Sequence, residues 1–249
     1  MVRLWSTRLC HDLAVSKQRS ESVTIGDDGA MTMHVWVPEA GHGPGILLLQ
    51  EIWGVGSYIR AVAERLTDAG YVVGAPDVFW RFAPGWAASH DQAGTAASFE
   101  QAGKLDGEQA VLDCVAACAH LGGLDEVDGT PGVLGFCLGG TLAFGVAVDD
   151  DPAVCVSYYG SGVPAMVDRL DSVSCPTLFH FGRDDSYIPA DGVEALATAM
   201  DGRADVVLNV EAAGHAFDNY ESATYYEESA ARAAWAKTMA FLTEHLPVA

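Results

Sequence analysis

The sequence predicts an α/β fold, a single doubly wound and mostly parallel sheet flanked by helices. Short β-rich runs alternate with longer helical patterns, the order that builds such sheets. Several of those runs are continuously apolar, as in GILLL (45–49) and YVVGA (71–75), which suits strands covered on both faces. The chain has 249 residues, half of them apolar, enough for one full core in one α/β domain of roughly 200–250 residues.

The strands follow in order as Met31–Pro38, Gly45–Gln50, Tyr71–Pro76, Gly132–Phe136, Ala153–Tyr159, Thr177–Gly182 and Asp205–Val210. A helix is expected over Ser57–Ala69, opened by a capping serine, braced by Arg60 and Glu64 four apart, and stopped at Gly70. Further helices are expected over Phe99–Leu121, Leu138–Val148, Gly192–Met200 and Ala223–His245. Residues 1–25 read as a polar lead-in, and residues 26–249 as the folded domain.

The charge is lopsided, with 34 acidic residues against 13 Lys and Arg and a net charge of −21. An acidic body repels phosphate backbones and anionic bilayers, so nucleic acid and membrane are excluded as partners. A small molecule is the expected partner, and a monomer is the default. The N-terminus lacks the apolar core of a signal peptide, and no apolar run reaches 18 residues. The six cysteines show no disulfide framework and no CxxC pair, and Cys114 and Cys118 fall on one apolar helix face. A reducing cytoplasm follows. The histidines show no metal-ligand spacing, His180 reads as a core residue, and no phosphate or dinucleotide loop is present, so no cofactor is expected.

In doubly wound sheets ligands sit beyond the carboxyl ends of the strands. After Gly132–Phe136 the chain reads G-F-C-L-G-G (135–140) and then turns helical. This is the spacing of a nucleophile elbow with Cys137 in the nucleophile's place. The glycines let the backbone turn sharply, and the dipole of the following helix favours a thiolate. The amide of Leu138 would face a developing oxyanion. Asp185 follows the strand Thr177–Gly182, with Asp184 as its neighbouring competitor, and His215 follows Asp205–Val210 behind a glycine. Nucleophile, acid and histidine in the order Cys137, Asp185, His215 is the α/β-hydrolase order.

Two other strand ends carry chemistry. Glu51, Ile52, Trp53 and Gly54 follow Gly45–Gln50, and a carboxylate at the end of a buried strand demands a partner. Phe79, Trp80, Phe82 and Trp86 surround Arg81 in sequence and read as a pocket wall with a cationic handle.

On these residues the chain resembles the dienelactone hydrolase family, the carboxymethylenebutenolidases. The matching pieces are QEIWGV (50–55), APDVFWR (75–81), GFCLGG (135–140), YYG (158–160), FHFGRDDSYIP (179–189) and AAGHAF (212–217). The resemblance implies an α/β-hydrolase fold and a Cys137, His215, Asp185 triad, with His215 as base and acid. It implies that Glu51 contacts the thiol and helps form the thiolate, and that the amides of Ile52 and Leu138 make an oxyanion hole. It also implies that Arg81 grips a substrate carboxylate. Trp53, Phe82, Trp86 and Tyr159 are expected to bind substrate with it. Two positions depart from the family pattern. Ala216 stands for a serine, and Asn219 for an arginine four residues after the histidine, so a second carboxylate anchor is missing from its usual place.

The expected activity is hydrolysis of a lactone of the enol-lactone type, or of an activated ester, through a cysteine acyl-enzyme. The rivals are a non-catalytic binding protein on the same fold and a related thiol acyltransferase.

Overall fold

The computed structural model describes residues 17–249, leaving out the Lys17 side chain. Eight strands form one sheet in the order β1-β2-β4-β3-β5-β6-β7-β8. They are β1 (Lys17–Ile25), β2 (Gly29–Val37), β3 (Gly45–Leu49), β4 (Val72–Pro76), β5 (Gly132–Phe136), β6 (Cys155–Tyr158), β7 (Thr177–Gly182) and β8 (Val206–Glu211). β1, β2 and β4 pair antiparallel in sequence, and every pairing from β4 to β8 is parallel. The helices are α1 (Ser57–Asp68), α2 (Gln92–Ala102), α3 (Gly107–Gly122), α4 (Leu138–Asp149), α5 (Ala190–Ala199) and α6 (Glu228–His245). This is the α/β-hydrolase architecture.

The central strands are apolar throughout because both their faces are covered. Every residue of β3, β4, β5, β6 and β7 is buried. The core continues into α4, whose Leu142, Ala143, Phe144 and Val146 are buried.

Four expectations need correction. The lead-in 1–25 ends in a strand: β1 pairs residue by residue with β2, from Lys17 opposite Val37 to Ile25 opposite Gly29. Its polarity hides a period of two. Val23 and Ile25 are buried, and on the same face Arg19 pairs with Glu21 and Glu126. Residues 1–16, with Cys10, lie outside the described residues. The long helix over Phe99–Leu121 is two helices, α2 and α3. Gly103 closes the first, and the Asp106 carboxylate caps the second by accepting the Gln109 N–H at 3.1 Å. Ser57 does not cap α1, since Gly56 holds the N-cap position and no side chain caps it. Arg60, expected to brace Glu64, donates to the Val55 carbonyl at 3.1 Å.

His180 is buried as expected. Its Nδ1 accepts from Asn209 at 2.8 Å and its Nε2 meets Thr238 Oγ1 at 3.0 Å. Burial pushes its pKa down to about 3, with the Lys237 charge acting the same way, so the ring is a neutral part of the core.

Candidate active site

The turn from β5 into α4 presents Cys137 at the carboxyl end of the sheet. Cys137 has φ 53° and ψ −114°, a backbone region that a residue with a Cβ rarely enters. The turn is also too tight for side chains on its flanks. A Cβ on Gly135 would lie 2.0 Å from the Gly139 carbonyl oxygen, and one on Gly139 would lie 2.2 Å from that of Leu49. The spacing of glycines in GFCLGG follows from these contacts.

Only three non-glycine residues among those described have positive φ: Cys137, Tyr159 (37°) and Ala216 (50°). All three adjoin one cluster. The Tyr159 ring packs 5.2 Å from His215, and Ala216 follows His215 in the chain. Among the described residues the non-glycine backbone with positive φ is concentrated here, as at sites where geometry is imposed by the surrounding structure.

His215 Nε2 stands 3.1 Å from Cys137 Sγ, and His215 Nδ1 donates to Asp185 Oδ2 at 2.7 Å. Asp185 is fixed in turn, because its Oδ1 accepts the Tyr187 N–H at 2.8 Å. The neighbouring Asp184 points to solvent and takes no part. All three side chains are buried, Cys137 being 9% exposed. With Nδ1 donating to the carboxylate, the neutral imidazole turns its lone pair on Nε2 toward the thiol.

At rest the helix terminus is not the dominant influence on the thiol. Burial pushes the Cys137 thiol well above its ordinary range, and the Glu51 charge adds to the rise. The backbone N–H groups of Leu138 and Ile52 are directed at the sulfur and oppose it. Desolvation outweighs the helix terminus because the sulfur lies beneath the surface. The site therefore holds a neutral thiol beside a base.

Glu51 is buried at the end of β3, and its Oε2 accepts from Asn219 Nδ2 at 2.5 Å. Its other oxygen, and the Tyr159 hydroxyl nearby, are buried without a well-formed hydrogen bond. Burial pushes the Glu51 pKa up to about 8, opposed by the Asn219 bond and aided by the charge of Asp218. Asp218 is also buried, raised by burial to about 6, and accepts from Tyr58 Oη at 2.7 Å.

A cavity of about 180 Å³ opens over Cys137 and His215. Its floor includes Ile52 and Leu138, and its walls are Trp53, Phe99, Tyr187 and Tyr225. Thr95, Ala102 and Ser161 complete it. Tyr187 and Tyr225 join hydroxyls at 2.9 Å, and the Tyr187 ring lies 4.9 Å from His215.

Of the residues expected to bind substrate, Trp53 lines this cavity and the others do not. The Arg81 guanidinium donates to both carboxylate oxygens of Asp113 at 2.8 Å, and pairs with Asp28 at 2.9 Å. It also lies over the Trp80 ring, whose own N–H donates to Asp113 at 2.8 Å. Asp77 folds the loop that carries these aromatics, by accepting the N–H groups of Phe79 and Gly85 at 3.1 and 2.6 Å. Phe82 packs on Phe79, and the Trp86 indole points at Ser98 Oγ, 3.4 Å away. These side chains buttress the wall. Tyr159 lies behind His215, outside the cavity.

Sequence reasoning missed the walls supplied by α2 and by the segment before α6. Tyr187 stood inside a quoted motif without an assigned part. Asn219 was noted as a departure, and its bond to Glu51 was not foreseen.

Comparison with known proteins agrees with this architecture. The profile of the dienelactone hydrolase family matches residues 31–246. A carboxymethylenebutenolidase of Pseudomonas sp. (strain P51) is 31% identical over 228 residues, covering 91% of this chain and 95% of that protein. One from Pseudomonas putida is 33% identical over 200 residues, covering 79% and 84% respectively. Among solved structures, a putative dienelactone hydrolase from Klebsiella pneumoniae superimposes with a TM-score of 0.76. It is 24% identical, covering 92% of this chain and 99% of that one. The chain belongs to the dienelactone hydrolase family of α/β-hydrolases.

Proposed function

We propose that this protein opens a lactone of the enol-lactone type, or cleaves an activated carboxylic ester, through an acyl-enzyme on Cys137. The observation that carries the reading is the unbroken line Asp185 Oδ2, His215 Nδ1, His215 Nε2, Cys137 Sγ, with links of 2.7 and 3.1 Å across the ring.

In this reading Sγ attacks the carbonyl carbon while its proton passes to His215 Nε2. Asp185 holds the tautomer and stabilises the imidazolium. The carbonyl oxygen takes the negative charge in reach of the Ile52 and Leu138 amides, which already converge on the sulfur. The C–O bond to the leaving oxygen then breaks, and the imidazolium gives that oxygen its proton. In an enol lactone this opens the ring, and the released enol tautomerises. Water next attacks the thioester, His215 takes its proton, and the C–S bond breaks to release the acid and restore the thiol.

A thiolate expels stabilised oxyanions readily and amide nitrogens poorly, so esters and lactones with good leaving groups suit this site. A thiol held neutral until substrate arrives favours concerted proton transfer over a standing ion pair.

The test is to quench turnover of a nitrophenyl ester and weigh the peptide that contains Cys137. A mass increase of one acyl group, absent in Cys137→Ala, is the expected result. Turnover that persists in Cys137→Ala without any acyl-peptide would overturn the reading.

A further inference from the structure

Among the described residues no Arg or Lys lines the cavity over Cys137. A surface groove runs on from it, sharing Thr95, Phe99 and Tyr225, and adds His90 and Asp91 without a cation. His90 packs 4.6 Å from the Trp53 ring, and burial lowers its pKa, with Glu221 opposing. Arg81 is committed to Asp113 and Asp28, away from the cavity. At Asn219, Glu51 meets an amide instead of a charge.

We infer that the substrate of this site is an uncharged lactone or ester about the size of one ring. The inference rests on the thiol hydrolase reading above and adds the substrate class to it. A carboxylate entering this cavity would leave water for aromatic walls with no countercharge to receive it, which is strongly unfavourable. Its route would also pass Asp91. The size concerns the part held over Cys137: about 150 Å³ is enough for one benzene, the cavity measures about 180 Å³, and it opens onto the groove. Trp53, Phe99, Tyr187 and Tyr225 give flat faces for a ring, while the Thr95 and Ser161 hydroxyls give neutral polar contacts.

The experiment compares two probes that differ in one charge. One is a five-membered enol lactone bearing a carboxymethylene group. The other is the same lactone with that carboxylate capped as its primary amide. Ring opening by the full chain is followed by absorbance at pH 7, at low salt. The expected result is a kcat/KM for the amide higher by about tenfold or more, carried mostly by KM. Equal or better turnover of the carboxylate would overturn the inference. If neither ring opens, calorimetric binding of both probes to Cys137→Ala decides. Tighter binding of the amide supports the substrate class while the missing turnover counts against the thiol hydrolase reading alone. Tighter binding of the carboxylate, or no binding of either at millimolar concentration, overturns the inference.

Discussion

Asn219 donates to Glu51 across 2.5 Å in the buried floor behind Cys137, so the carboxyl group at the end of β3 meets a neutral amide. A neutral partner satisfies one oxygen without cancelling a charge, and burial therefore lifts the Glu51 pKa from 4.5 to about 8. The consequence is a slope of stability with pH. Between these values the folded chain binds a proton that the unfolded chain has released. The stabilisation is complete below the unfolded value and is lost as pH rises through about 8. Asp218 acts in the same direction over a lower window, from 3.8 to about 6. Buried His180, lowered to about 3, acts in the opposite direction below about pH 6.5, so the effect of Glu51 is read above that window. Thermal melts from about pH 7 to about pH 9 should show Tm falling in the wild type. In Glu51→Gln that fall should be lost. Parallel curves for the two proteins would show that Glu51 is already ionised in the fold.

Asp185 orients His215 through a 2.7 Å bond and is held by the Tyr187 amide. Replacement by Asn keeps the shape but lets the amide donate, which favours the tautomer with Nε2–H facing the thiol. We expect Asp185→Asn to lower kcat by on the order of 10³–10⁴. Alkylation of Cys137 by iodoacetamide should slow in parallel, since the base that would take the proton is turned away. An unchanged kcat with a normal circular-dichroism spectrum would remove Asp185 from the mechanism.

The central strands were readable because burial on both faces writes itself as an unbroken apolar run. β5 and β7 begin and end where the sequence places them, at Gly132–Phe136 and Thr177–Gly182. β1 was not readable, because Arg19 is compensated by Glu126, more than a hundred residues away. Cys137, His215 and Asp185 converge because each stands at the end of a parallel strand, a position that topology fixes. Arg81 failed for the opposite reason. A loop residue goes where its partners are, and Asp113 lies on α3, a helix whose sequence marks no such contact. The walls Phe99 and Tyr225 come from segments whose pattern is that of an exposed face or a turn.

The Arg81 contacts make a clean distinction between recognition and stability. Asp113 is 5% exposed and receives Arg81, Trp80 and Gln109 together, while Arg81 itself is 29% exposed. Arg81→Gln would leave the Asp113 carboxylate with two neutral donors and no countercharge. Breaking a buried pair costs about 3–5 kcal/mol, and the partial exposure of Arg81 puts the expected loss lower, at about 2–3 kcal/mol. KM for a small ester should stay within about twofold, because the guanidinium does not line the cavity. Urea denaturation and steady-state kinetics on the same preparation check both halves. A large rise in KM without loss of stability would place Arg81 in the substrate site after all.

The elbow makes the most demanding prediction, because its glycines face backbone. A Cβ on Gly139 would sit 2.2 Å from the Leu49 carbonyl oxygen and 2.6 Å from that of Gln50. Neither atom can rotate away, so Gly139→Ala must push the start of α4 off the end of β3. Overpacking of this kind costs about 1–3 kcal/mol, and the contact with backbone places the value at the upper end. The same shift separates the Ile52 amide, carried on the β3 side, from the Leu138 amide, carried on α4. Misplacement of catalytic groups by about 1 Å can cost on the order of 10² in rate, and that is the expected loss in kcat. Gly129→Ala is the control. Gly129 has a positive φ of 79° with open space around its Cβ position. It should cost about 1–2 kcal/mol from backbone strain alone and leave kcat unchanged. If Gly139→Ala lost stability like the control yet kept full activity, the two amides would not need their present spacing.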